Sequence, residues 1–185
     1  MNDTSTSHLC PDGTIRDAIG AMQTDDATAI RLLNDAARLW PNDHRIWFMR
    51  GAVHAASYRY DAARADFETS LDLAPAFLIA RFMLGFLDLT HGNVPRASDS
   101  WQALDMLPEE HTLRVLKTGL LNLANDQFDT AIAQLRAGMA SNEAYPLINP
   151  YISAVIERLE PQAHSEASTT TGILTYMDRA SPASY

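Results

Sequence analysis

Histidine is the side chain in this sequence best suited to metal binding or acid–base catalysis, and six copies are present. Two histidines four residues apart would share one helical face and could hold a zinc ion, as in a His-x-x-x-His or His-Glu-x-x-His pattern. No pair in this chain has that spacing. The histidines therefore predict no metal site; they are His8, His44, His54, His91, His111 and His164.

The other reactive side chains predict no active site either. The one cysteine, Cys10, excludes a disulfide framework, and it lies in a polar segment where no ordered base is expected beside the thiol. The carboxylate pairs Asp25-Asp26 and Glu109-Glu110 lie at predicted helix starts, where they stabilise the helix dipole. The sequence has no glycine-rich phosphate loop. We predict a protein that is not an enzyme and has no catalytic residue or cofactor.

Charge and hydropathy restrict the partners. The 185-residue chain carries a net charge of −9, whereas a nucleic-acid partner requires a basic face. The N-terminal segment lacks the basic start and apolar core of a signal peptide. The longest apolar stretch, 77–89, is interrupted by Arg81 and Asp88, so no membrane insertion is expected. These features predict a cytoplasmic protein.

Helical periodicity runs from about residue 14 to residue 159, and no strand pattern competes with it. Asn, Asp and Pro residues recur at the expected helix boundaries, where they cap or stop helices. The predicted helices are about 15–22, 25 or 26 to 40, 44–57, 61–73, 76–90, 95–107, 110–124, 129–140 and 147–159.

Small and large residues recur along these helices with a period of 34. Gly51, Gly85 and Gly119 form one column of equivalent positions. Small residues suit places where helices approach closely, and large residues fill the gaps between those contacts. The parallel columns are Ala63, Ala97 and Ala131; Phe67, Trp101 and Leu135; and Tyr60, Val94 and Phe128.

This unit resembles the tetratricopeptide repeat family, whose helix pair carries Trp then Gly, Ala then an aromatic residue, and a closing Pro. The resemblance implies an all-α fold, a right-handed α-solenoid of helix–turn–helix repeats with a C-terminal capping helix. The most complete copy has Trp47, Gly51, Tyr60, Ala63, Phe67 and Pro75.

The resemblance also predicts the domain organisation. A helical repeat domain spans 14–160, between a disordered N-terminal segment, 1–13, and a disordered tail, 161–185. The domain divides into a degenerate repeat 14–43, repeats 44–77, 78–111 and 112–145, and a capping helix 147–160.

Two features depart from the family pattern. Pro108 closes its repeat one residue early. Polar His54, Asp88 and Asn122 form a column at a first-helix position where the family has apolar residues. Buried polar groups need partners, so either the helices are rotated or a polar seam runs between repeats. We predict a structural seam in which His54, Asp88 or both find hydrogen-bond partners between the first helices.

The first helices of the family form a concave face, which here is mostly apolar. It lacks the Lys, Arg and Asn side chains with which some members hold a peptide C-terminus. Two interpretations stay open: ordinary core covered by a helix or by the tail, or a groove for an apolar peptide or helix. The predicted groove consists of Phe48, Met49, Ile79, Phe82, Met83, Phe86, Leu89, Leu113, Leu116, Leu120 and Leu123.

The sequence thus favours a non-catalytic adaptor or scaffold whose partner is a protein or peptide with apolar anchors. One alternative is a dedicated cytoplasmic chaperone, since small acidic repeat proteins resemble the class that keeps type III secretion translocators soluble. The least favoured alternative is a catalytic or redox role. The tail contains one short apolar segment, 173–177, which we predict docks into the groove, in the same chain or in a second copy.

Overall fold

The computed structural model describes residues 9–163, which form helices and connecting turns without any strand. Residues 1–8 and 164–185, which hold most of the predicted disordered ends and the apolar segment 173–177, lie outside that range. The all-α fold is confirmed. The helices are α1 (Asp12–Met22), α2 (Asp26–Leu39), α3 (His44–Ala56), α4 (Tyr60–Leu73), α5 (Leu78–Thr90), α6 (Val94–Trp101), α7 (Thr112–Ala124), α8 (Phe128–Ala140) and α9 (Asn149–Ala163), with two short 3-10 segments, Gln102–Met106 and Pro146–Ile148.

The chain divides into two compact units between Leu84 and Gly85, a boundary that falls within α5. In the first unit, α1 packs on α2, α2 on α3, and α3 on α4. In the second unit, α6 packs on α7, α7 on α8, and α8 on α9. Within each unit, therefore, helices stack in chain order, as expected for helix–turn–helix repeats.

Side-chain caps explain why several helices begin where the sequence predicts. The Asp25 carboxylate accepts hydrogen bonds from the Ala27 and Thr28 amides, at 3.1 Å each, and caps α2. Asn93 caps α6 through the Arg96 amide at 3.2 Å, and Pro95 lies in the first turn, where no backbone donor is needed. These caps are local in sequence, so the pattern locates them.

The glycine column lies at tight helix contacts, as predicted. A β-carbon on Gly51 would lie 2.8 Å from Phe67 Cδ1, and one on Gly119 would lie 2.9 Å from Leu135 Cδ2. A β-carbon on Gly85 would overlap the Trp101 indole. In each case the covering side chain belongs to the column of large residues on the second helix of the same repeat.

The helix predicted at 95–107 differs in the structure. It ends as an α-helix at Trp101 and continues as the 3-10 segment Gln102–Met106. A 3-10 helix rises about 2.0 Å per residue and an α-helix about 1.5 Å. The two together therefore span about 22 Å, close to the length of about 21 Å expected for α4. Because each 3-10 residue advances further along the axis than an α-helical residue, the second helix keeps its length although this repeat has one residue fewer before Pro108.

Helical structure extends beyond both predicted limits of the repeat domain. The segment 9–13 was expected to be disordered, yet α1 begins at Asp12 and Cys10 is buried. At the other end, α9 continues to Ala163, beyond the predicted limit of 160.

Candidate functional site

The predicted groove residues are mostly core. Nine of the eleven are buried, and only Phe48 and Phe86 retain partial exposure. Leu116 is buried because it packs closely on α8: a β-carbon on Gly138 of α8 would lie 2.6 Å from Leu116 Cδ2. Leu116 therefore packs in the α7–α8 interface. Burial favours the core interpretation for most of these side chains, and a role in binding stays a prediction.

An aromatic cluster in the first unit surrounds one of the two partly exposed groove residues. The Phe48 ring centroid lies 5.2 Å from that of Phe77, in an edge-to-face arrangement. Phe77 in turn meets the His44 ring at 4.6 Å, also edge to face. Beneath them, the fully buried Phe67 ring lies 5.9 Å from Phe48. We call His44, Phe48 and Phe77 the aromatic cluster; each is half-buried.

Local structure explains how the cluster is positioned. His44 and Phe48 are four residues apart at the start of α3 and so share one helical face. Phe77 immediately precedes α5, and its amide donates to the Ala74 carbonyl at 2.9 Å. The sequence predicted Phe48 through the family resemblance but missed His44 and Phe77. The four-residue spacing from His44 to Phe48 was the available signal for His44.

The start of α3 is fixed by a buried carboxylate. Asp43 is fully buried and accepts hydrogen bonds from the Cys10 amide at 2.9 Å and from the Arg45 guanidinium. Arg45 also donates to the Cys10 carbonyl at 2.9 Å. Burial raises the pKa of Asp43, but these hydrogen bonds outweigh it and hold the pKa below its usual value. The three residues form a clasp that ties the segment before α1 to α3.

The clasp also explains the state of the single cysteine. Burial, and then the neighbouring Asp43 carboxylate, raise the pKa of the Cys10 thiol above its usual value. A raised pKa disfavours the thiolate, which is the nucleophilic form. Cys10 thus acts as a small core residue, not as the thiol of a polar disordered segment that the sequence suggested.

Each member of the polar column lies beside a polar side chain on the second helix of its own repeat; pairing of His54 or Asp88 between first helices stays a prediction. His54 Nε2 lies 3.7 Å from Asp66 Oδ2. Ser100 Oγ donates to Asp88 at 3.4 Å. Asn122 Nδ2 donates to Gln134 at 2.6 Å. In all three repeats the partner lies on the second helix, and the partners form a column of their own with the same repeat period.

The pair in the first unit carries additional charges. Arg50 donates to both Asp66 oxygens, at 2.8 and 2.6 Å, and to Asn34 at 2.9 Å. Its guanidinium carbon lies 4.6 Å from the Trp47 ring centroid. Because Arg50 already engages the Asp66 carboxylate, and because equivalent pairs recur in the other repeats, we interpret this cluster as a structural connection between α3 and α4.

This environment disfavours the protonated form of the His54 imidazole. Burial lowers the pKa of His54 below its usual value; the Asp66 carboxylate opposes the shift, and Arg59 and Arg50 add to it. The Nδ1 atom is buried and has no hydrogen-bond partner among the described residues. A proton on this ring would therefore be added to a half-buried imidazole that is repelled by Arg59 and Arg50 and attracted by Asp66.

Neither a metal site nor a membrane-spanning helix is present in residues 9–163. No group of three or more His, Cys, Asp or Glu side chains in this range could hold a metal ion. No helix in the same range is long and apolar enough to cross a membrane.

Comparisons with known proteins support the fold through structure, not through sequence. No protein-family model matches the chain, and no curated protein sequence matches it. Among solved structures, the chain is similar to MamA 41-end from Desulfovibrio magneticus RS-1. The sequence identity is 15% and the TM-score is 0.56, over 85% of this chain and 97% of that one. This similarity shows an all-α fold, consistent with a tetratricopeptide-like arrangement of helices.

Proposed function

We propose that the protein is a non-catalytic interaction module, an adaptor or scaffold that binds an apolar peptide or helix through its first helices. The observation that carries the proposal is the aromatic cluster of His44, Phe48 and Phe77. Partly exposed aromatic rings that pack on a buried ring, here Phe67, are the kind of group that dominates binding energy at protein interfaces.

The aromatic cluster shares only Phe48 with the predicted groove. In this proposal, Phe48 supplies apolar contact area to a partner. Met49, its neighbour on α3, is buried and serves as core that holds the helix in place. The net charge of −9 disfavours nucleic acid, and a tetratricopeptide-like fold is typical of protein-binding modules.

The experiment is a selection of random peptides on the immobilised full-length chain, followed by counter-selection on the Phe77→Ala variant. Peptides with apolar anchors should be enriched on the wild-type chain and depleted on the variant. Tyr151→Ala is the matched control, because Tyr151 is an aromatic residue of α9 with 38% exposure. Selected peptides should bind the control variant as they bind the wild type.

Two results would contradict the proposal. One is a selection that yields no specific peptide. The other is a set of peptides that binds Phe77→Ala and wild type equally, which would place recognition elsewhere on the molecule. Circular dichroism of each variant checks that the helices are intact before binding is compared.

A further inference from the structure

We infer that the tail of this chain, through residues 173–177, occupies a groove between α8 and α9 in the second unit, and not the first-helix groove into which the sequence predicts that it docks. The groove has a volume of about 430 Å³ and opens to solvent. By the repeat period, α9 corresponds to the first helix of a further repeat, and no second helix follows it within residues 9–163. The lining residues of the groove are Arg136, Met139 and Ala140 of α8, and Ser153, Ile156 and Glu157 of α9.

The glycine column identifies what the groove lacks. Ser153 follows Gly119 by one repeat period and is therefore the next position in that column. Each of the three glycines is covered by a large side chain on the following helix, such as Leu135 over Gly119. Ser153 instead lines the open groove, where its hydroxyl lies 3.8 Å from the Met139 sulfur of the preceding helix. The position has a small residue but no covering partner helix within the described residues.

The repeat period does not supply the missing side chain. Thr169 lies 16 residues after Ser153, the same separation as that between Gly119 and Leu135. Thr169 is polar, however, and it is smaller than the large residues that cover the glycines. In addition, α9 ends ten residues after Ser153, whereas α7 ends five residues after Gly119. Because α9 extends further beyond Ser153 than α7 extends beyond Gly119, the chain after α9 needs more residues to return to the groove. The residues that cover Ser153 must therefore come later than Thr169.

Residues 173–177 meet that requirement. They contain Ile173, Leu174, Tyr176 and Met177 and carry no charge. They begin ten residues after Ala163, and an extended chain of that length reaches about 33–36 Å. The distance from Ser153 to the end of α9 is about 15 Å along the helix axis, so the tether is long enough to return.

Charge at the edge of the groove is also complementary. Arg136 and Glu157 give the groove one charge of each sign. Asp178 and Arg179 follow the apolar segment directly and give the tail one charge of each sign. Apolar residues docked in the groove would bury the apolar surface beside Ser153 and place Asp178 and Arg179 near groove charges of opposite sign.

Disulfide trapping in the full-length chain tests this inference. In a Cys10→Ser background, Ser153→Cys is combined with Leu174→Cys, and the control combines Ser153→Cys with Ser184→Cys near the end of the same tail. A disulfide needs β-carbons about 3.5–4.5 Å apart. The Leu174 pair should form an intramolecular disulfide about tenfold faster than the control pair, because docking raises its effective concentration.

Equal rates for the two pairs would overturn the inference, because an undocked tail samples both positions alike. Disulfides that link two molecules would overturn it as well and would assign the groove to a second copy. Leu174→Asp supplies an independent readout: hydrogen exchange of residues 149–159 should increase in this variant and remain unchanged in Thr169→Asp. These measurements do not involve the aromatic cluster, so their outcome is separate from that of the peptide selection.

Discussion

Gly85 shows at the scale of one residue how the repeat period becomes a packing constraint. A β-carbon there overlaps the Trp101 indole, which is itself fully buried. Gly85→Ala should therefore destabilise the protein, by roughly 1–3 kcal/mol, because the core must shift to accommodate one carbon. Equilibrium urea unfolding measures the change in the free energy of unfolding.

The matched control for Gly85→Ala is Gly20→Ala in α1. Apart from its chain neighbours and the backbone of its own helix, no atom of the described residues lies within 4 Å of the position that a β-carbon would take at Gly20. Alanine there should therefore be neutral or stabilise the helix by up to about 1 kcal/mol. If both variants unfold at the same urea concentration, the glycine column does not mark close helix contacts.

Asp43 combines a cap with the clasp to Cys10 and Arg45. Asp43→Ala should cost more than Asp25→Ala, although both remove an N-cap whose loss costs about 1 kcal/mol. The additional cost, about 1.5–3 kcal/mol, comes from the hydrogen bonds to the Arg45 guanidinium and the Cys10 amide. Thermal unfolding of the two variants compares the costs, and equal losses would mean that the clasp adds nothing to stability.

His54 predicts a pH dependence with a definite sign. Its pKa is lowered in the folded state, so the unfolded chain binds more protons than the folded chain as pH falls through about 6.5. The stability from the neutral imidazole is fully present above that pH and decreases below it. The urea concentration at the unfolding midpoint should therefore decrease as pH is lowered from 7.5 to 5.5. His54→Gln should make this decrease smaller. An unchanged slope in His54→Gln would exclude His54 as its source.

At the scale of elements, the turns within the repeats share one backbone feature. Tyr58, Gly92 and Asp126 occupy equivalent positions in successive repeats, and each has a positive φ, of 58°, 72° and 58° respectively. Gly92→Ala should cost about 1 kcal/mol, since a β-carbon is unfavourable in this conformation, and Asp126→Gly should relieve a similar or smaller strain. Melting temperatures should move in opposite directions for the two variants, and a shift of the same sign in both would contradict the shared turn geometry.

Element boundaries were predictable because their causes are local. The caps at Asp25 and Asn93 lie within three residues of the amides they bind. The burial of Cys10 was not predictable in this way, because its partner Asp43 lies on a helix start far along the chain. The polar pairs could be predicted only in part. Their second-helix partners also recur with the repeat period, but the sequence alone does not tell which helix faces which.

At the scale of the whole molecule, the repeat period was sufficient to predict an all-α fold of stacked helix pairs. It was not sufficient to separate core from surface on the first helices. Leu116 and Leu120 have the spacing of an apolar groove, yet both are fully buried. Apolar spacing identifies a face of a helix, whereas burial depends on which other helices cover that face. The aromatic cluster emerged only from contacts among His44, Phe48 and Phe77.

The most direct test of the proposed function is the dissociation constant of one selected peptide, measured by fluorescence anisotropy. Phe77→Ala should weaken binding about tenfold or more, equivalent to about 1.4 kcal/mol, because an aromatic anchor contact is lost. Tyr151→Ala should leave the dissociation constant unchanged. Equal affinities for wild type and Phe77→Ala, with both chains fully folded, would contradict the assignment of partner binding to the aromatic cluster.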